Sequence, residues 1–182
     1  FVSNGIVRRP NDLEYLKYLS TPEALERDYR SQPLDLKDLD KMPDGRVHPY
    51  LYKGTDSLQF ADKSVAWGFG ETGYTNGAVY ADLDNDGDLD YVTNNINDSA
   101  FVYRNNLMEQ KPQQANYLRL KFVGSEYNRM GLGAIVEIYY KDNKGKIGQQ
   151  VYEHSPYRGY LSTVEPFAHF GLGNVRSIDK VQ

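Results

Sequence analysis

Ala78-Val79-Tyr80-Ala81-Asp82-Leu83-Asp84-Asn85-Asp86-Gly87-Asp88-Leu89-Asp90-Tyr91-Val92 carries a carboxylate at every second position from Asp82 to Asp90, with a glycine among them. Both flanks are short apolar, strand-like runs, so residues 82–90 read as a tight loop between two strands. Two like charges about 4 Å apart repel by roughly 4 kcal/mol at an effective dielectric of 20. Folding several carboxylates onto one point therefore calls for a cation. Ca²⁺ takes about six to eight oxygen ligands in irregular geometry and suits the pattern better than octahedral Mg²⁺. Gly87 permits the sharp turn that points the surrounding oxygens inward. An EF-hand needs a bidentate glutamate at its twelfth position. That position is Thr93, and the flanks are not helical, so the EF-hand reading fails. The candidate metal residues are Asp82, Asp84, Asp86, Asp88 and Asp90. Four act through their side chains and Asp88 through its backbone carbonyl, with the Asp88 side chain pointing outward.

Composition sharpens this. The chain has 182 residues, 21 Lys+Arg, 25 Asp+Glu and a net charge of −4. Five of those acids lie in the loop, and without them acids and bases nearly balance. A charge this small, with no basic block, argues against a general nucleic-acid binder. The absence of cysteine excludes a disulfide framework, a thiolate metal site and a cysteine nucleophile. No apolar run approaches the roughly 20 residues that span a bilayer.

Outward from the loop, the chain is expected to be mainly β with an N-terminal helical insert. Leu13, Leu16 and Leu19 have helical spacing behind Asn11 or Asp12 as cap. Ser20-Thr21-Pro22-Glu23 predicts a second helix to about Tyr29. Leu34, Leu36 and Leu39, closed by Pro43-Asp44-Gly45, suggest a third. Short strands are expected near Leu51–Lys53, Leu58–Phe60, Ala78–Ala81, Leu89–Val92 and Ala100–Tyr103. Residues 109–115, with Pro112 and glutamines, read as a linker. Beyond it Tyr117 to Val123 alternates, with Leu118, Leu120 and Phe122 on one face and Arg119 and Lys121 on the other. Ala134–Tyr140 and Ile147–His154 flank Asp142-Asn143-Lys144-Gly145, a hairpin signal. Pieces near Tyr160-Leu161, Ala168–Phe170 and Ile178–Val181 complete this half.

Leu51-Tyr52-Lys53-Gly54, Phe60-Ala61-Asp62, Asn76 to Asp82, the acidic loop and Val102-Tyr103-Arg104-Asn105-Asn106 resemble an FG-GAP/VCBS-type repeat. That resemblance implies a β-propeller blade whose loop binds calcium between two strands. Phe1-Val2-Ser3-Asn4-Gly5 is similar to the end of a preceding blade, which makes residues 1–49 that strand plus an insertion and residues 50–108 the repeat. Asn116-Tyr117-Leu118, Asn128 to Ala134, Gly159-Tyr160-Leu161-Ser162 and His169-Phe170-Gly171-Leu172-Gly173 resemble the ASPIC/UnbV domain over residues 116–182, a pairing seen in cartilage acidic protein-like chains. The usual Trp-Pro-type turn after the last strand is missing. Together these resemblances imply partial propeller blades followed by an antiparallel β-sandwich-like domain, as a fragment of a larger protein. One blade cannot close a propeller. The implied location is extracellular, periplasmic or cell-surface.

No other constellation carries comparable chemistry. Gly131-x-Gly133 and Gly171-x-Gly173 lack the rest of a phosphate-binding motif. His48, His154 and His169 have no metal spacing and read as surface or sheet residues. Ser155 and Ser162 lack a nucleophile elbow. Asn97-Asp98-Ser99 matches a glycosylation sequon. The expectation is a non-catalytic, calcium-binding module for adhesion or macromolecule binding, with an unknown protein or polysaccharide ligand and nucleic acid disfavoured. One alternative is a polysaccharide-binding accessory or glycan-active enzyme fragment. It would use Tyr50, Tyr52, Tyr74, Tyr152, Tyr157 and Tyr160 as platform and Glu71, Glu153 or Glu165 as acids. A second is RNA binding through Arg119, Lys121, Arg129, Lys141, Lys144 and Lys146, which otherwise form a solvated sheet face.

Overall fold

The computed structural model describes residues 1–26, 40–55 and 57–182. The expected extension of the second helix to Tyr29 and the third helical segment around Leu34, Leu36 and Leu39 lie outside the described residues. The chain is mainly β, with several small antiparallel sheets and a few short helices, as the turn-punctuated pattern predicts. Among the described residues no helix is long and apolar enough to cross a membrane. Two compact units are formed: residues 1–77 with 94–100, and residues 78–93 with 101–182.

The first unit opens with isolated bridges rather than a strand, Val2 facing Tyr50 and Arg8 facing Asp44. Helix α1 (Leu13–Leu19) begins where the Asp12 side chain accepts the Glu14 N–H at 2.9 Å. The face it buries is Tyr15, while Leu13 and Leu16 stay exposed. Helix α2 (Pro22–Leu25) has proline in its first turn, where the missing N–H costs nothing. Strands β1 (Tyr52–Gly54) and β2 (Phe60–Asp62) form an antiparallel pair in the register Tyr52 to Asp62. Behind them Ser64, almost fully buried, donates to Asp62 and accepts the Leu51 N–H at 2.9 Å. Among the described residues the unit's buried apolar side chains include Tyr15, Ala24 and Phe69.

Strands β3 (Thr75–Ala81) and β4 (Asp90–Asn95) run through both units, and β5 (Phe101–Tyr103) pairs antiparallel with β4 in the register Tyr91 to Tyr103. Residues 107–114, expected largely as linker, instead take a helical turn, α3 (Leu107–Gln110), and a 3-10 turn, Pro112–Gln114.

The second unit then builds two facing sheets. One pairs β6 (Asn116–Lys121) with β9 (Phe167–Gly173); the other has the order β10 (Lys180–Val181), β7 (Ile135–Lys141), β8 (Ile147–Glu153). The β7–β8 turn closes because Asp142 accepts the N–H groups of Lys144 and Lys146, each at 2.8 Å, and Gly145 takes φ +77°. Period-two alternation sends Val136, Ile138, Ala168 and Phe170 inward, with Leu118, Leu120, Phe122 and Tyr152 packed against them. This is the sandwich-like core the alternation predicts. Tyr160-Leu161 does not form a strand; it is the turn of a loop closed by a Tyr157–Thr163 bridge.

His154, expected at a surface or in a sheet, is fully buried just past β8 and stacks on Phe122 at 4.0 Å between ring centroids. Neither ring nitrogen has a hydrogen-bond partner. A buried polar group without a partner costs about 1–3 kcal/mol. Replacing His154 by leucine, of similar size, is expected to leave the melting temperature unchanged or raise it. A fall of several degrees in thermal unfolding would contradict that account.

Candidate metal centre

Strands β3 and β4 end the acidic loop at both sides, and its backbone reverses through two left-handed residues, Asn85 at φ +60° and Gly87 at φ +100°. Asparagine tolerates that region and glycine is free in it. Gly87 is required a second time. A Cβ placed there would lie 2.1 Å from Cε1 of Tyr117, whose ring packs directly on the turn.

The loop brings Asp82, Asp84 and Asp86 together, with one carboxylate oxygen from each within 4.8 Å of the others. Oxygens sharing one Ca²⁺ at about 2.3–2.6 Å can lie no farther apart than about that distance. Asp82 Oδ1 and Asp86 Oδ2 are buried and have no hydrogen-bond partner. Desolvated, unpaired carboxylate oxygens in one loop are the condition that a hard cation relieves. These clustered acids can hold a metal ion.

Asp90 has a different place. It is buried, and its two oxygens accept the N–H groups of Leu83 at 3.0 Å and Asn105 at 2.8 Å, so it braces the loop against the residues after β5. The Asp88 side chain does not point outward. It is 5% exposed, Oδ2 accepts the Met108 N–H at 2.9 Å, and Oδ1 is buried without a partner. Burial first, and then the charges of Asp86, Asp90 and Glu109, push the Asp88 carboxyl up against the lowering effect of the Met108 hydrogen bond. A second set, Asp86, Asp88 and Glu109, again has oxygens within 4.8 Å of one another.

Sequence reasoning missed Glu109 and the two arginines that face the acids. Arg104 pairs with Asp84 at 2.8 Å and with Glu109. Arg119 reaches Glu165 at 2.9 Å and lies 3.7 Å from Asp82, with its guanidinium over the Phe167 ring. The reading of Arg119 as part of a solvated basic face is therefore corrected. Alternation correctly placed it opposite Leu118 and Leu120, but Arg119 meets the acidic loop, while Lys121 on the same face stays exposed.

The carboxylates considered for glycan chemistry have different surroundings. Glu71 is exposed in the first unit, Glu153 ends β8 opposite Ile135, and Glu165 is held by Arg119. A cavity of about 20 Å³ lined by Tyr80, Leu89, Arg119, Glu165, Phe167 and His169 has room for about one water and none for a sugar ring. In its wall, burial and then Arg119 hold the His169 imidazole below its usual range, and the ring stacks on Tyr117 at 5.3 Å.

The glycine-rich stretches are structural. Asn128 closes the first by accepting the Leu132 N–H at 2.9 Å and donating to the Leu132 carbonyl at 3.0 Å. Gly131 and Gly133 take φ +66° and +81° there, and the Gly133 N–H is spent on the His154 carbonyl. Ser162 is buried and donates to the Tyr160 carbonyl at 2.8 Å, fixing a turn. Residues 124–182 match the family model of ASPIC and UnbV. No curated protein matches the chain. The ASPIC and UnbV match starts after β6, although β6 supplies half of one sheet of that unit, and it contains both the Asn128 loop and the Ser162 turn.

Proposed function

We propose that the Asp82–Asp90 loop binds Ca²⁺, and that the chain serves as a non-catalytic adhesion or macromolecule-binding module of an extracellular or envelope protein. On this reading the loop belongs to an FG-GAP/VCBS-type calcium-binding repeat of a β-propeller, followed by the ASPIC and UnbV region. The ligand is a protein or a polysaccharide, reached by surfaces other than the loop.

The observation that carries the calcium reading is the pair of buried, unpartnered oxygens Asp82 Oδ1 and Asp86 Oδ2 beside Asp84. All the donors are hard oxygens, which suit Ca²⁺ rather than a thiophilic metal. A cation held by protein oxygens inside a folded loop stabilises the folded state by mass action. At a concentration 100 times its dissociation constant the gain is about 2.7 kcal/mol.

Ca²⁺ is expected to raise the melting temperature of chelator-stripped protein by several degrees, and EDTA to reverse it. Asp84→Asn, at a partly exposed side chain, is expected to remove most of that shift while leaving the metal-free melting temperature nearly unchanged. Coincident melting curves with and without calcium in differential scanning calorimetry would sink the calcium reading.

A further inference from the structure

We propose that Asp86, Asp88 and Glu109 form a second divalent-cation position beside that of the loop, with Asp86 as the shared carboxylate. Within the loop the first position accounts for the unpartnered oxygen of Asp82, but not for that of Asp88. No single set of mutually close oxygens among the described residues contains both Asp82 and Asp88. Oxygens on one calcium lie within about twice the Ca–O distance of each other, so the two sets describe two centres.

The second centre has one unsatisfied donor of its own, Asp88 Oδ1. Asp88 is 5% exposed; Oδ2 is occupied by the Met108 N–H, and Oδ1 has neither solvent nor a hydrogen-bond partner. Asp86, partly buried, is the carboxylate shared with the loop position. Oδ1 accepts the Asp88 N–H at 3.0 Å, and Oδ2 is buried and unpartnered. Glu109, delivered by α3, places a third carboxylate within 4.8 Å of both. Among the described residues Arg104 pairs with this group, but it is divided between Glu109 and Asp84 and therefore neutralises neither set fully.

A divalent ion among these three carboxylates answers the Asp88 oxygen that the loop position leaves orphaned. Three carboxylates supply only part of the six to eight oxygens that Ca²⁺ takes, so water completes the shell on the half-exposed side of Glu109. The second ion is consequently the weaker of the two. Because Glu109 sits on α3 and Asp88 on the loop, this ion ties the loop to the segment that leads into β6.

The proposal rests on the calcium reading only through the shared Asp86, and one titration separates the two. Isothermal titration of CaCl₂ into the chelator-stripped full chain is expected to show two equivalents, the second at least tenfold weaker. Glu109→Gln, at an exposed side chain, is expected to keep the circular dichroism spectrum. It is also expected to lose the second equivalent and hold the first affinity within about threefold. Asp88→Asn is expected to lose the same equivalent. One equivalent in the unmutated chain, or two retained in Glu109→Gln, would overturn the second position and leave the loop reading standing. No binding at all would overturn both.

Discussion

Gly87→Ala is expected to lower the melting temperature by several degrees and to weaken calcium binding at least tenfold. Two causes act together. The residue sits at φ +100°, where an L side chain is strained, at a cost on the order of 1–3 kcal/mol. The added methyl also falls 2.1 Å from the Tyr117 ring, which must move or push the turn away. Either movement spreads Asp86 and Asp88, the residues on both sides of the glycine. A tenfold loss of affinity corresponds to about 1.4 kcal/mol, within the range of that strain. Adding Tyr117→Ala relieves the clash but not the backbone strain, so the double variant is expected to recover part of the affinity. Thermal unfolding and calcium titration of both variants measure this. A single variant indistinguishable from the parent in both would show that the turn is neither strained nor tied to the site.

Ile138→Ala is expected to be the most destabilising single truncation in the second unit. Ile138 is fully buried on β7 and packs with Val136, Ala168 and Phe170 between the two sheets. Truncating such a residue removes buried apolar surface and leaves a cavity, at about 2–5 kcal/mol. Thermal denaturation is expected to fall by roughly 5 °C or more for a domain of this size. By contrast Ile135, three residues earlier on the same strand and exposed, is expected to tolerate alanine with little change. Equal effects at both positions would contradict the inward assignment of β7.

The strands and the clustering of acids in the loop were legible because their causes are local. Alternating Leu118, Leu120 and Phe122 has only one way to bury its apolar face, and they do pack on the core. Asp142 to Gly145 closes its hairpin through Asp142 and a left-handed glycine, both visible as residue types. Five acids at alternate positions around Gly87 concentrate negative charge at one place whatever the rest of the chain does. Helix α1 was also legible, but its buried face was not. Leucines at helical spacing suggested one stripe, and packing chose Tyr15 instead.

What neighbours decide could not be read from spacing. Glu109 and Arg104 flank the acids from beyond β5, and no fixed interval in the chain announces such a pairing. Asp88 read as outward because loop grammar assigns its carbonyl to the metal, whereas the Met108 N–H draws its side chain inward. His154 is polar and carries no burial signal, yet it follows β8 into the interior against Phe122. Residue type and period set which backbone turns, which face is apolar and that charge accumulates at one place, because those follow from sterics and hydration over a few residues. Which carboxylates are desolvated, and which arginines face them, depends on contacts between segments far apart in the chain, and only the folded arrangement supplies these.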